Sequence, residues 1–196
     1  MRKVIVQEFV SLDGMAAGEN DSVDFVPATT SGDESFGARQ LSFMETVDTI
    51  LLGRKTYELF AGYWPNVTSG DDKEFADRIN AIPKIVASRT LDRAPWGEYA
   101  EATVIKDQLS EEVAKMKRQT GRDIVVWGSL SVVQALEDDD LIDDYQLIVC
   151  PIVLGAGRRL FREGTGGYDL TLRDTRSFDR GMVLLSYAPA KAHSAV

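Results

Sequence analysis

The chain is short of the residues that carry much enzyme chemistry. It holds one histidine, His193, and one cysteine, Cys150, in 196 residues. His193 sits in what reads as a frayed end, so a Ser-His-Asp triad, a Cys-His pair and a histidine-rich zinc site are excluded as working groups. A lone cysteine inside an apolar run leaves no disulfide framework within the chain and points to a cytoplasmic setting. Positive charge is scarce too: 22 Lys and Arg against 31 Asp and Glu give a formal net charge of -9. Nucleic acid and anionic membranes both need a basic face, so neither is an expected partner. A local basic pocket for one small anion remains compatible with that balance. No apolar run approaches the ~20 residues that cross a bilayer. Met1-Arg2-Lys3-Val4 leads into a strand-like pattern and not a secretory leader. The acidic run Glu137-Asp138-Asp139-Asp140 has no complementary ligands near it in sequence and reads as a solvated helix end, not a metal site.

What is present is an ordinary globular composition, 44% hydrophobic and 27% charged. Lys3–Ser11 reads as a central strand, with Val4, Val6 and Val10 on one face and Ile5 and Phe9 on the other. Residues 15–30 lack a sustained period and read as a long irregular loop. A helix over about 35–46, a strand over 48–52 and a helix over 55–61 follow. A short helix over 71–79 and a strand over 84–88 come next. A brief strand over 102–105 precedes a helix capped by Ser110. The strand 123–127 runs into a helix opened by Gly128-Ser129, and then comes a strand over 144–153. Segments 170–178 and 182–188 form a closing hairpin around Asp179-Arg180-Gly181. The pattern predicts an α/β domain, mainly parallel with an antiparallel finish, over residues 1–190, and a tail at 191–196.

Three predicted strand ends carry matching chemistry. Leu52-Gly53-Arg54-Lys55-Thr56 turns from an apolar run into a helix start with two cations and a hydroxyl. Ser88-Arg89 sets a hydroxyl beside a guanidinium. Trp127-Gly128-Ser129-Leu130 is a glycine-serine turn that opens a helix. Free backbone N–H groups and the positive end of a helix suit phosphate, and a guanidinium grips it bidentately. Together the turns suit NADPH: pyrophosphate on the two helix starts and the 2′-phosphate on Ser88 and Arg89. No acidic residue stands at the second strand end, where an NAD site of the doubly wound type places one. Gly155-Ala156-Gly157 begins like a dinucleotide loop but lacks its third glycine, so that reading is rejected. The adjoining Arg158 and Arg159 read either as solvated or as approaching an anionic substrate.

A wider set of residues occurs in a familiar order. It comprises Ser11-Leu12-Asp13-Gly14, Leu52 through Glu58, Ser88-Arg89-Thr90, Val126-Trp127-Gly128-Ser129 and Pro151 through Phe161. This set resembles the reductase domain of the bacterial bifunctional riboflavin-biosynthesis deaminase-reductase and its stand-alone relatives in the dihydrofolate reductase-like superfamily. The resemblance implies that fold, with NADPH lying across the strand ends. It assigns Gly53, Arg54, Lys55 and Thr56 to the adenosine side and pyrophosphate, and Ser88 and Arg89 to the 2′-phosphate. Trp127, Gly128, Ser129 and Leu130 form the second phosphate turn. It also implies a homodimer.

The chemistry expected is hydride transfer to a C=N or C=O group of a small, heterocyclic substrate. Asp13, where the first strand ends, is a candidate proton donor or substrate contact, or simply a turn residue with Gly14. Glu45 is a second candidate, on the helix where dihydrofolate reductases carry a pterin-binding carboxylate. Tyr63 and Trp64 are candidates for a pocket wall, and Arg158 for an anionic substrate group. Three readings stay open: an NADPH-dependent reductase, dihydrofolate reductase activity, and a nucleotide-binding module without turnover.

Overall fold

The structure, a computed structural model, describes residues 1–164 and 166–190. Strand β1 (Val4–Ser11) is buried along almost its whole length, as apolar residues on both faces require. It turns through Leu12–Gly14 into the short β2 (Met15–Ala17). Helix α1 (Phe25–Thr30) and helix α2 (Glu34–Met44) follow. Asp33 caps α2, its carboxylate accepting from the Phe36 amide at 3.0 Å. Next come β3 (Val47–Gly53), α3 (Arg54–Tyr63), α4 (Lys73–Ala81) and β4 (Lys84–Ala87). Strands β5 (Ala94–Trp96) and β6 (Tyr99–Ile105) lead to α5 (Leu109–Arg118), β7 (Asp123–Trp127) and α6 (Leu130–Asp138). The chain closes with β8 (Asp144–Cys150), a two-residue β9 (Arg158–Arg159), β10 (Leu170–Ser177) and β11 (Val183–Pro189).

One nine-stranded sheet has the order β10-β11-β8-β1-β7-β3-β4-β6-β5. Strands β8, β1, β7, β3, β4 and β6 run parallel to one another. The hairpin β10-β11 and the edge strand β5 run antiparallel. A small ribbon of β2 and β9 stands apart. The α/β expectation with an antiparallel finish matches this architecture.

Each face of the sheet has its own core. Val4, Val6, Val10, Leu51 and Val126 pack beneath α5 and α6 and beneath Ala16 and Leu160. Ile5, Ile50, Leu52, Val125 and Trp127 pack against Phe43 of α2, Tyr57 of α3 and Ile79 of α4. Leu51 and Leu52 are fully buried on opposite faces, each stabilising the fold by about 1.5–3 kcal/mol.

Several expected elements differ. The stretch 15–30 is not one irregular loop, because β2 pairs with β9 and Phe25 anchors α1 in a third core cluster. Helix α3 runs on through Gly62, and the break falls at Trp64-Pro65-Asn66, a single tight turn. Gln108 in a left-handed conformation, not Ser110, precedes α5. The tail 191–196, His193 included, lies outside the described residues.

Candidate functional site

Parallel strands deliver their C-terminal ends to a single edge, where helices begin and ligands bind in open α/β sheets. Here that edge gathers Ser11, Gly53, Ala87, Trp127 and Cys150. Two of the predicted turns interlock across it. The Gly53 amide donates to Ser129 Oγ at 2.6 Å, and Thr56 Oγ1 lies 2.8 Å from the same oxygen. The closeness explains both glycines. A Cβ on Gly53 would sit 2.6 Å from Ser129 Oγ, and one on Gly128 would sit 2.6 Å from Thr56 Oγ1. Gly128 also has φ +58. Neither α3 nor α6 has a side-chain cap, so their first-turn amides have no side-chain acceptor of their own. Two helix starts with that property, tied to each other, form a donor-rich corner suited to an anion.

The third turn lies one strand further out. Ser88 is buried, and its Oγ accepts from the amides of Thr90 at 3.3 Å and Leu91 at 3.2 Å. Arg89 projects from this turn with 88% of its side chain exposed, and its nearest acid, Asp107, is 4.0 Å away. The guanidinium is therefore held only by a weak, solvated pair.

On the other side, Lys55 and Arg158 meet on one carboxylate. Asp21 accepts from Lys55 Nζ at 2.5 Å and from Arg158 Nη1 at 3.0 Å. The Lys55 hydrogen bond first, then that of Arg158, holds the Asp21 carboxyl below its usual range. Asn20 and Asp21 both have positive φ, an uncommon conformation for residues other than glycine. Together with Gly157 and Arg158 they border a cleft of about 510 Å³. Asp21 was missing from the sequence reading; its one signal was its place in a long acidic loop. Arg54 turns to Glu58 at 2.9 Å, with both side chains well exposed.

The structure corrects other assignments. Asp13 does reach the site edge, but as a latch. It accepts from Ser11 Oγ at 2.6 Å and from the amides of Leu154 at 3.1 Å and Gly155 at 2.8 Å. These bonds, Ser11 first, lower its pKa from 3.8 to about 2, so it stays ionised at neutral pH and has no proton to donate. Glu45 caps the C-terminal end of α2, before β3 begins, and so lies at the opposite edge of the sheet. Its nearest cation is Arg78 at 3.8 Å. Tyr63 and Trp64 end a helix that runs back from the site for about 15 Å. Tyr63 donates to Asp72 at 2.9 Å, while Trp64 packs edge-on to Phe60 and Phe75. Both belong to the packing of α3 on α4 and not to a wall beside the three turns. Trp127 and Leu130 present only backbone at the edge, because their side chains are buried in opposite cores.

Two polar features inside the sheet carried no assignment. Gln7 hydrogen-bonds both Gln40 and Gln146, and Trp127 Nε1 donates to Gln7 Oε1 at 2.9 Å. On the other face of β1 stands Glu8, buried, its pKa pushed from 4.5 up to about 8 by desolvation. A carboxylate on the Val4–Val6–Val10 face was the signal for it.

The sheet order is that of a dihydrofolate reductase-like fold. The chain belongs to the RibD C-terminal domain family, whose pattern it matches over residues 2–184. It is 33% identical over 187 residues to the uncharacterised protein YyaP of Bacillus subtilis (strain 168), covering 95% of this chain and 94% of that one. A Shewanella sp. PV-4 protein, itself only provisionally assigned to riboflavin biosynthesis, superposes with a TM-score of 0.74 at 22% identity, covering 96% and 99% of the two chains. The Thermotoga maritima diaminohydroxyphosphoribosylaminopyrimidine deaminase/5-amino-6-(5-phosphoribosylamino)uracil reductase superposes with a TM-score of 0.63 at 14% identity, covering 96% of this chain and 57% of that one. At these identities the superpositions speak for the fold alone. Among the described residues no helix is long and apolar enough to cross a membrane.

Proposed function

We propose that the protein is an NADPH-dependent reductase of a small heterocyclic or carbonyl substrate. One observation carries the reading: two uncapped helix starts share Ser129 Oγ at the strand ends, with an exposed Arg89 one strand away. The residues fit the cofactor. The first-turn amides after Gly53, at Arg54–Thr56, and the amides at Gly128–Leu130 would hold the pyrophosphate, and Ser88 with Arg89 would hold the 2′-phosphate. NADPH would supply a hydride.

The chain's own part is to bind and to orient. Asp13 fixes the loop at Leu154 and Gly155 against the end of β1. Asp21 draws Lys55 of α3 and Arg158 of β9 together beside the phosphate corner. Family membership supports a reductase. Glu45 stands at the far edge, which favours this reading over dihydrofolate reduction.

The test is NADPH oxidation followed by absorbance, with 5-amino-6-(5-phosphoribosylamino)uracil, dihydrofolate and a panel of heterocyclic imines and ketones. Substrate-dependent oxidation is expected with the uracil or with a panel member. Saturable NADPH binding without oxidation of any of them would leave only a nucleotide-binding module.

A further inference from the structure

Glu8 occupies the central strand, on the face it shares with Val4, Val6 and Val10. The parallel register pairs Gln7 with Trp127 on β7 and Glu8 with Leu147 on β8. Glu8 therefore stands level with Gly128 and one strand beyond the phosphate corner. Only 8% of the residue is exposed. Among the described residues no side chain hydrogen-bonds or ion-pairs with its carboxyl, and the Phe9 backbone amide is its one partner. An ionisable group buried this way is costly to keep, and such groups collect at working sites.

The strand order says which part of a bound dinucleotide ends nearest it. Ser88 and Arg89 follow β4, Gly53 ends β3, Gly128 follows β7, and Glu8 is on β1, the next strand in line. A dinucleotide with its 2′-phosphate at β4 and its pyrophosphate between β3 and β7, continued in the same direction, brings its other half to the β7–β1 side of the edge. We infer that Glu8 is the proton donor of the site, a neutral carboxylic acid beneath the nicotinamide half of the cofactor. This inference rests on the reductase reading above. In the step, a hydride adds to the substrate carbon and the C=N or C=O π pair moves onto the heteroatom. That heteroatom takes the Glu8 proton as the carboxyl O–H bond breaks. The substrate is reduced by two electrons, the dihydronicotinamide is oxidised, and Glu8 is left as a carboxylate that water reprotonates.

The titratable groups on the elements packed over this face are otherwise engaged. Tyr145 of β8 meets the Tyr168 hydroxyl at 3.0 Å, and Tyr168 in turn donates to Glu137 of α6. Asp138 of α6 pairs with Arg162, and Lys117 of α5 with Asp143 at 2.6 Å. In β9, Arg158 holds Asp21, and Arg159 donates to the Asp13 carbonyl at 3.4 Å. Val126 and Gly128 of the β7 segment carry no charge. Burial dominates the proton affinity of Glu8, outweighing the opposing Phe9 amide, and Asp13, ionised at the strand end, is no rival donor.

The experiment uses protein labelled with 13C at the glutamate carboxyl. The Glu8 signal is assigned by its loss in Glu8→Gln, or in Glu8→Asp should the first variant not fold. Titration follows it in the free protein, with saturating NADPH and with saturating NADP+. A midpoint near 8 is expected in the free protein. The NADP+ midpoint should lie below the NADPH midpoint, since only the oxidised ring is cationic and favours a nearby carboxylate. Equal midpoints under saturating binding would place Glu8 away from the ring and overturn the inference alone, as would a free-protein midpoint near 4.5. Failure of both nucleotides to saturate sinks the reductase reading, and this inference with it.

Discussion

At the edge where the parallel strands begin, Arg2 is 7% exposed, and its guanidinium meets Asp48, Thr49 Oγ1 at 2.7 Å and the Arg122 carbonyl at 2.6 Å. Lys117, equally sheltered, holds Asp143 at 2.6 Å and the Leu141 carbonyl at 2.8 Å. At the edge where the same strands end, Arg89 is 88% exposed and Lys55 69%, and two helix starts have no side-chain cap. Both edges are rich in charge. The first spends its donors on its own acceptors and ties down the strand starts. The second leaves Arg89 with only a solvated pair at 4.0 Å and the first-turn amides of two helices without side-chain acceptors, while Lys55 is held by exposed Asp21. The presence of cations does not mark a site; donors without internal acceptors do.

Four substitutions would break or sharpen this contrast. The largest effect is expected from Arg2→Met, which strands Asp48 and removes a buried guanidinium. Stability should fall by about 3 kcal/mol, read by urea denaturation, while NADPH affinity of the folded protein stays the same. Gly128→Ala forces a Cβ against Thr56 Oγ1 at a positive φ. A loss of about 1–3 kcal/mol in stability is expected, with NADPH binding weakened at least about tenfold. A variant that binds normally would show that the corner is structural only. Asp21→Ala frees Lys55 and Arg158 from a competing carboxylate. The denaturation midpoint should not move, and NADPH should bind severalfold more tightly, most visibly at low salt. Weaker binding instead would make Asp21 a ligand contact. The smallest effect belongs to Asp13→Asn. With its folded pKa lowered from 3.8 to about 2, Asp13 stabilises the fold fully above its unfolded pKa, and this contribution is lost as pH falls toward 2. The variant should therefore show a shallower loss of stability between those pH values, measured by acid titration of the far-ultraviolet circular dichroism.

The same contrast explains what could be read from the residues. Apolar runs ending in Gly53, Ser88 and Gly128 announced strands and turns, because period and turn chemistry are local. Their convergence followed from the rule that parallel strands end together. Side chains defined by distant partners were not legible. Asp13 reads as an acid until Leu154 and Gly155, far away in sequence, donate to it. Glu45 reads as catalytic until helix α2 is seen to end on the wrong side of the sheet. Tyr63 and Trp64 look like a pocket wall until Trp64 is seen packed on Phe75 of α4 and Tyr63 bonded to Asp72. Glu8 went unassigned because one charge in an apolar strand acquires meaning only from the strands beside it.

The cofactor and its 2′-phosphate grip are read out by calorimetric titration of NADPH and NADH into the wild-type protein and Arg89→Ala. Saturable binding with NADPH preferred is expected, with a variant whose NADPH affinity falls about tenfold to the level of NADH. No saturable heat with NADPH, or an equal loss for both nucleotides in the variant, would contradict this expectation.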